Sequence, residues 1–416
     1  MACFLKVQNN MLRPTKYATF FITMVLIPAI FLYASPTLKD LGLPKSFILK
    51  SEFYAVDSVK EAREPGFLSF HVTAPHGSYD AEGLLALQKL LHEIQVIEMV
   101  KRNKSEGGFF DGAADSVEAT GEGFVNLVTH PVKSVEGVGK ATGKIGRGIG
   151  GMFRKKEEGE KKSFGEKMLG GSEREIAKEL NVDVYTTNVY LQELLERTAR
   201  ARMGGKGAVM VAKFFLPIAG VASMVITASG VNSAADQLAN DTDRTELFRL
   251  NKNALVNLGF DEEAVRDLLN LPYYSPRETT YLRFYLENLK FADNYQEIFK
   301  TALSANSFQE ARKILYAAQI AAEAVPEFPK FQRIECFKEG IAIQEADKIV
   351  FIVPYDYLDQ SHLGGQVLKY ISELKQKWSK SSAEIWNGGK VTPGFSSTAL
   401  LKGVKIRDWL LFKEAK

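Results

Sequence analysis

The chain runs to 416 residues, 45% of them hydrophobic, enough to bury a substantial core in two domains or more. Its 53 Lys+Arg nearly cancel 50 Asp+Glu, leaving a formal charge of +3, too mild for the concentrated basic face of a dedicated nucleic-acid binder. The cysteines are Cys3 and Cys336; loss of the first ten residues or more leaves one, which rules out an intramolecular disulfide and a zinc site built on two thiolates.

Residues 1–34 form the first segment. Met11 to Lys16 places Arg13 and Lys16 ahead of an almost uncharged run from Tyr17 to Ala34. A basic head followed by such a run delivers a chain to a membrane. The run is longer than a minimal signal core and shorter than a comfortable span of about 20 residues. It predicts an export signal cut after Ala34, where Leu32 occupies a place that favours a small residue, or an uncleaved anchor. A helix buried in the fold is the third reading.

Residues 51–104 read as a small α/β unit. Phe67 to Thr73 is aromatic and β-branched and follows Pro65-Gly66, which predicts a strand. Asp80 is the expected cap of a helix in which Leu84, Leu87, Leu91, Ile94 and Ile97 recur at three and four.

The 105–171 segment changes composition, residues 106–171 holding 16 of the 33 glycines. Within it Val117, Phe124, Val128, Val135, Ile145 and Ile149 belong to a narrow apolar stripe at spacings of four and three, running from about 109 to 153. Such a stripe seats on a partner helix or lies on a membrane surface. Each glycine weakens a helical turn by up to about 1 kcal/mol relative to alanine, so the segment orders only against something else. An exposed tether with chance periodicity is the competing reading. The interleaved charges from Arg154 to Lys162 read as a solvated linker.

Residues 172–326 predict a helical domain. Ser172 and Glu175 fit a capping box, and a second helix runs from about Asn188 to Arg202. The apolar run Ala208 to Val231 is interrupted by Lys213, Pro217 and Gly220 and preceded by Arg197, Arg200, Arg202 and Lys206. In an exported chain that basic flank opposes the positive-inside tendency, so a core hairpin over 207–231 is preferred to a span or re-entrant segment. Further on, Gly259 closes one helix and Asp261 starts another. Pro276, Asn294 and Asn306 mark later starts, and Phe308 to Ala322 is the strongest amphipathic run.

Residues 333–416 switch period. A hairpin turns at Glu339-Gly340, Lys348 to Val353 is a buried strand, and a helix follows from Ser361 to Trp378. Ala383 to Trp386 is a strand, Ser396 to Leu401 a helix, and Val404 to Phe412 a strand. The fold class predicted is α+β, predominantly helical, with a small C-terminal α/β module, three-layer-like and with a partly parallel sheet.

Chemistry is sparse. Asp356, Asp359 and His362 follow the strand 348–353, where open α/β sheets bind ligands, and form the best acid–base candidates. The dull alternative has Asp359 or Ser361 capping the next helix. His92-Glu93 begins like a zinc-protease motif, but Val96 stands where the second ligand belongs. His71 and His76 bracket a strand end. Gly146 to Gly151 matches GxGxxG as a string without a preceding strand, Val138 occupies the first glycine of a loose phosphate loop, and no GxSxG occurs. No metal set, cofactor or nucleic-acid partner is predicted.

Three stretches, Thr129 to Gly139, Gly146 to Arg154 and Leu180 to Asn188 running into Leu191 to Leu194, carry a resemblance. The chain resembles a group of uncharacterised bacterial exported proteins in which a glycine-rich stripe precedes a GVDVY-type segment, over roughly residues 65–235. The resemblance implies a bacterial, envelope-facing origin and brings no activity or functional residue. The expected protein is a non-enzymatic interaction or scaffold protein at the periplasmic face of the inner membrane, anchored or periplasmic. Its expected partner is the membrane surface or an envelope protein. A hydrolase in the C-terminal module and a protein inserting into membranes through 207–231 are the alternatives.

Overall fold

The computed structural model describes residues 36–45, 47–104, 171–203, 230–326 and 331–412. The stripe residues Val117, Phe124, Val128, Val135, Ile145 and Ile149, the run 17–34 and residues 208–229 lie outside the described residues. About 51% of the interpretable residues are helical and about 19% strand, spread over 11 helices and three sheets, so the chain is mixed α+β. Among the described residues no helix is long and apolar enough to cross a membrane.

A first antiparallel sheet is built from β1 (Ala55–Glu61), β2 (Leu68–Ala74) and β3 (Gly77–Glu82). β2 is the aromatic strand legible in the sequence. Residues 77–82, expected to lead into a helix, instead extend the sheet, and Asp80 pairs with His71 across it. Helix α1 (Leu84–Lys104) starts only after Gly83, whose φ of +98° turns the chain off the strand.

The helical part comprises α2 (Gly171–Glu179), α3 (Val189–Met203), α4 (Gly230–Asp241), α5 (Arg244–Asn257), α6 (Glu262–Leu269), α7 (Pro276–Leu289), α8 (Gln296–Leu303) and α9 (Phe308–Ala324). Local caps set these starts. The Asp261 side chain accepts from Glu263 and Ala264 N–H, and Ser275 and Glu278 form a capping box with Pro276 at the first helical position. Ser307, one residue after the expected Asn306, accepts from Glu310 N–H to open α9.

The last part contains β4 (Arg333–Phe337), β5 (Gly340–Gln344), β6 (Lys348–Val353), β7 (Tyr357–Leu358), α10 (His362–Lys377), β8 (Ser382–Asn387), β9 (Lys390–Val391), α11 (Pro393–Leu401) and β10 (Val404–Arg407). Its sheet has the order β10-β8-β6-β5-β4, antiparallel through β4, β5 and β6 and parallel through β6, β8 and β10. β10 stops at Arg407, five residues before a short 3-10 turn ends at Phe412, so the expected long last strand is less than half its predicted length. The module is not clearly three-layered on its own. Val367, Ile371, Phe395 and Ala399 from α10 and α11 pack with Ile349, Phe351 and Ile385 on one face of the sheet. Val350, Ile352 and Trp386 on the other join a core with Ala311, Ile314 and Ala318 of α9.

That second core is the largest. It gathers Leu41 and Phe47, Phe70 and Tyr79 of the first sheet, Leu87 and Leu91 of α1, the helices from α4 to α9, and Leu410 to Phe412. Phe47 and Phe412 meet edge to face with ring centroids 5.4 Å apart. A separate cluster seats Val96, Ile97 and Val100 of α1 against Ile176, Val184, Leu191 and Leu195.

Candidate functional site

The sequence points first to the carboxyl end of β6, and there the structure spends the chemistry on architecture. Asp356 is buried, 6% exposed. Its Oδ2 accepts from Leu68 N–H at 2.9 Å and its Oδ1 from Leu84 N–H at 3.0 Å. Leu84 opens α1, so Asp356 caps a helix 272 residues away and ties down the start of β2 with its second oxygen. A carboxylate at a helix N-terminus satisfies an orphan donor and meets the positive end of the dipole. Burial nevertheless pushes the carboxyl up to about 7, the two amides and Arg312 only partly opposing it.

Main-chain hydrogen bonds tie the loops together at the carboxyl end of β6. Gly388 N–H donates to Val353 C=O, Gly389 to Tyr355 and Lys390 to Asp356, while Tyr357 N–H reaches Gly66 C=O. Tyr355 packs edge-on against Phe67 at 5.8 Å. Gly66 sits at φ +87°, and a Cβ there would lie 2.6 Å from Tyr355 Cγ, so only glycine passes beneath that ring.

Asp359 and His362 do not join Asp356. Asp359 Oδ1 accepts from Ser361 N–H at 2.9 Å, an Asx turn leading into α10. His362 is exposed, with its Nε2 2.8 Å from the Gln366 amide. No hydrogen bond among the described residues links the three, so the acid–base constellation gives way to a cap, a turn and a surface imidazole. Among the described residues no group of three or more His, Cys, Asp or Glu is placed to hold a metal ion.

A second polar concentration lies around α1, where sequence reasoning had not looked. Asp183, in the loop before α3, receives Lys89 Nζ at 2.7 Å and Arg277 Nε at 2.9 Å. Arg277 also pairs with Asp236, which accepts from the Tyr281 hydroxyl at 2.5 Å. Burial pushes the Asp183 carboxyl up, but Arg277 and Lys89 outweigh it and hold the group well below the usual range. Beside it Glu93 accepts from the Thr186 hydroxyl at 2.6 Å, and here burial wins and raises the carboxyl. Asp183, an acid alternating with Val182 and Val184, was the available signal.

On the other side of α1, His76 Nδ1 lies 2.6 Å from Glu98 Oε1. The carboxylate only accepts, so Nδ1 carries the proton and Nε2 is left without a partner. The ring stands edge-on to Tyr79 at 5.4 Å and Tyr190 at 5.1 Å. His92 Nε2 meets Asn181 C=O at 2.8 Å, which settles it as an anchor of the 181–188 loop rather than the start of a zinc motif. Each of these groups joins α1 to a neighbour. The arrangement fixes geometry.

No family model matches this chain, and no curated protein or solved structure shows significant similarity to it.

Proposed function

We propose that this chain is a non-enzymatic interaction or scaffold protein of the bacterial cell envelope. The basic head and apolar run of residues 11–34 bring it to the membrane, and the 109–153 stripe contacts the lipid surface or an envelope protein. The C-terminal module, three-layer-like once α9 covers its second face, is the platform of the body. The observation that carries this reading is the use made of Asp356. The best acid–base group in the chain is buried as a cap joining β2 and α1 to the C-terminal sheet, which is the work of a framework.

Fractionation of the tagged native protein, with N-terminal sequencing of the mature form, tests it. The expected result is recovery with the membrane or periplasmic fraction. Exchanging Val117, Phe124, Val128, Ile145 and Ile149 for Asp should release the protein from membrane or partner. Unchanged fractionation and pull-down by that variant would sink the idea.

A further inference from the structure

Helix α11 carries Ser396, Ser397 and Thr398 in its middle and ends on two leucines. Phe395 and Ala399 face the module's core, while Leu400 and Leu401, 69% and 89% exposed, close its last turn on the outside. A helix end that holds two leucines outward suits a water-free neighbour better than bulk solvent. The nearest hydroxyls are spent locally: Ser397 Oγ donates to Pro393 C=O, and Thr398 Oγ1 donates to Gly394 C=O and accepts from the Gln360 amide. Gly403, at φ +66°, stops the helix directly after the leucines.

Two cations frame the pair. Lys402 follows Leu401 and is exposed, and Lys375 Nζ reaches Gly403 C=O at 3.4 Å. Neither has a carboxylate partner among the described residues, unlike Lys377, which pairs with Glu335 at 2.7 Å. Protruding leucines with lysines that have no carboxylate partner beside them match the layering of an anionic membrane surface, phosphate outside and acyl chain beneath.

We propose that the outer end of α11 is a lipid-contact wedge: Leu400 and Leu401 enter the headgroup layer of an anionic membrane while Lys375 and Lys402 meet its phosphates. The inference rests on the membrane-associated reading above and assigns it a second contact, in the C-terminal module. A leader alone holds the chain by one end; the wedge fixes which side of the body faces the lipid.

The test uses the full chain, reconstituted from detergent into phosphatidylglycerol or phosphatidylcholine vesicles. An environment-sensitive dye is placed at Ser397→Cys, between the leucines, in a Cys3→Ser background. Cys336, a free and only partly buried thiol, is replaced as well by Cys336→Ala. The expected result is a blue-shifted emission on phosphatidylglycerol, lost in Leu400→Ser/Leu401→Ser and weakened in Lys375→Glu/Lys402→Glu. Circular dichroism should be unchanged, since Leu400, Leu401 and Lys402 are exposed and Lys375 is half-buried. A chain that floats with the vesicles while the dye keeps its aqueous emission overturns the wedge and leaves the tether standing. A chain that fails to float overturns both. An equal shift on phosphatidylcholine overturns the part given to the lysines.

Discussion

Asp356 Oδ1 and the Leu84 N–H stand 3.0 Å apart, closing a helix cap across 272 residues of chain. Replacing Asp356 by Ala leaves both Leu84 and Leu68 amides buried without an acceptor. Each such loss costs about 1–3 kcal/mol, so Asp356→Ala is expected to destabilise the fold by about 2–5 kcal/mol. Asp356→Asn keeps one carbonyl oxygen and should cost roughly half as much. Urea denaturation of both variants checks the order, and equal stabilities would refute the bridging role.

The same group predicts a pH dependence. In the fold the Asp356 carboxyl sits near 7, raised from its ordinary 3.8 by burial. The folded state therefore binds the extra proton between these values, and stability falls as pH rises through that window, then levels above it. The slope is at most about 1.4 kcal/mol per pH unit. Asp356→Asn has no proton to lose, so its stability measured from pH 5 to pH 8 should lack this decline. A decline of the same size in both proteins would assign it elsewhere.

Arg277 lies between Asp183 and Asp236 and pairs with both. Arg277→Ala would leave two half-buried carboxylates facing each other, at a cost of about 3–5 kcal/mol. Adding Asp183→Asn to Arg277→Ala should recover part of that loss, with a coupling of about 1–3 kcal/mol in a double-mutant cycle. Strict additivity would show that the network is only geometric.

Gly66→Ala places a Cβ against the Tyr355 ring in a backbone region that costs an L-residue about 1–2 kcal/mol by itself. The total expected is about 2–4 kcal/mol. In a Tyr355→Leu background the steric share should shrink, so the two changes combine to less than their sum. Thermal melts of the four proteins give the answer directly.

What was legible in the sequence was local. Asp261 caps its helix and Pro276 opens the next, both where they were expected, Asn306 missed its cap by one residue, and the hairpin around Glu339-Gly340 pairs neighbours. The strand Lys348–Val353 stands where its unbroken apolar run placed it. Asp80 and Asp356 failed together, for one reason. Asp80 sits four residues before α1 in sequence, yet pairing with β2 turns it across the sheet to His71, and the cap comes from the far end of the chain. Closeness in sequence likewise made Asp356, Asp359 and His362 look like one site. Whether they converge depends on where β7 pairs, and its two-residue parallel partner, β9, lies about thirty residues on. Asp183 was invisible as a hub because its partners Lys89 and Arg277 belong to helices on either side of it in the chain.

The edge-to-face contact of Phe47 with Phe412 bears on the order of events at birth. The main core draws on Leu41 and Phe70 from the first quarter of the chain and on Ile343, Trp386 and Leu411 from the last. A ribosome that has delivered only the first three hundred residues still lacks the residues of this core from Ala302 to Phe412, and closing so long a loop is slow. Leu41 and Phe70 therefore wait for Trp386 and Leu411 to be made before their part of the core can close.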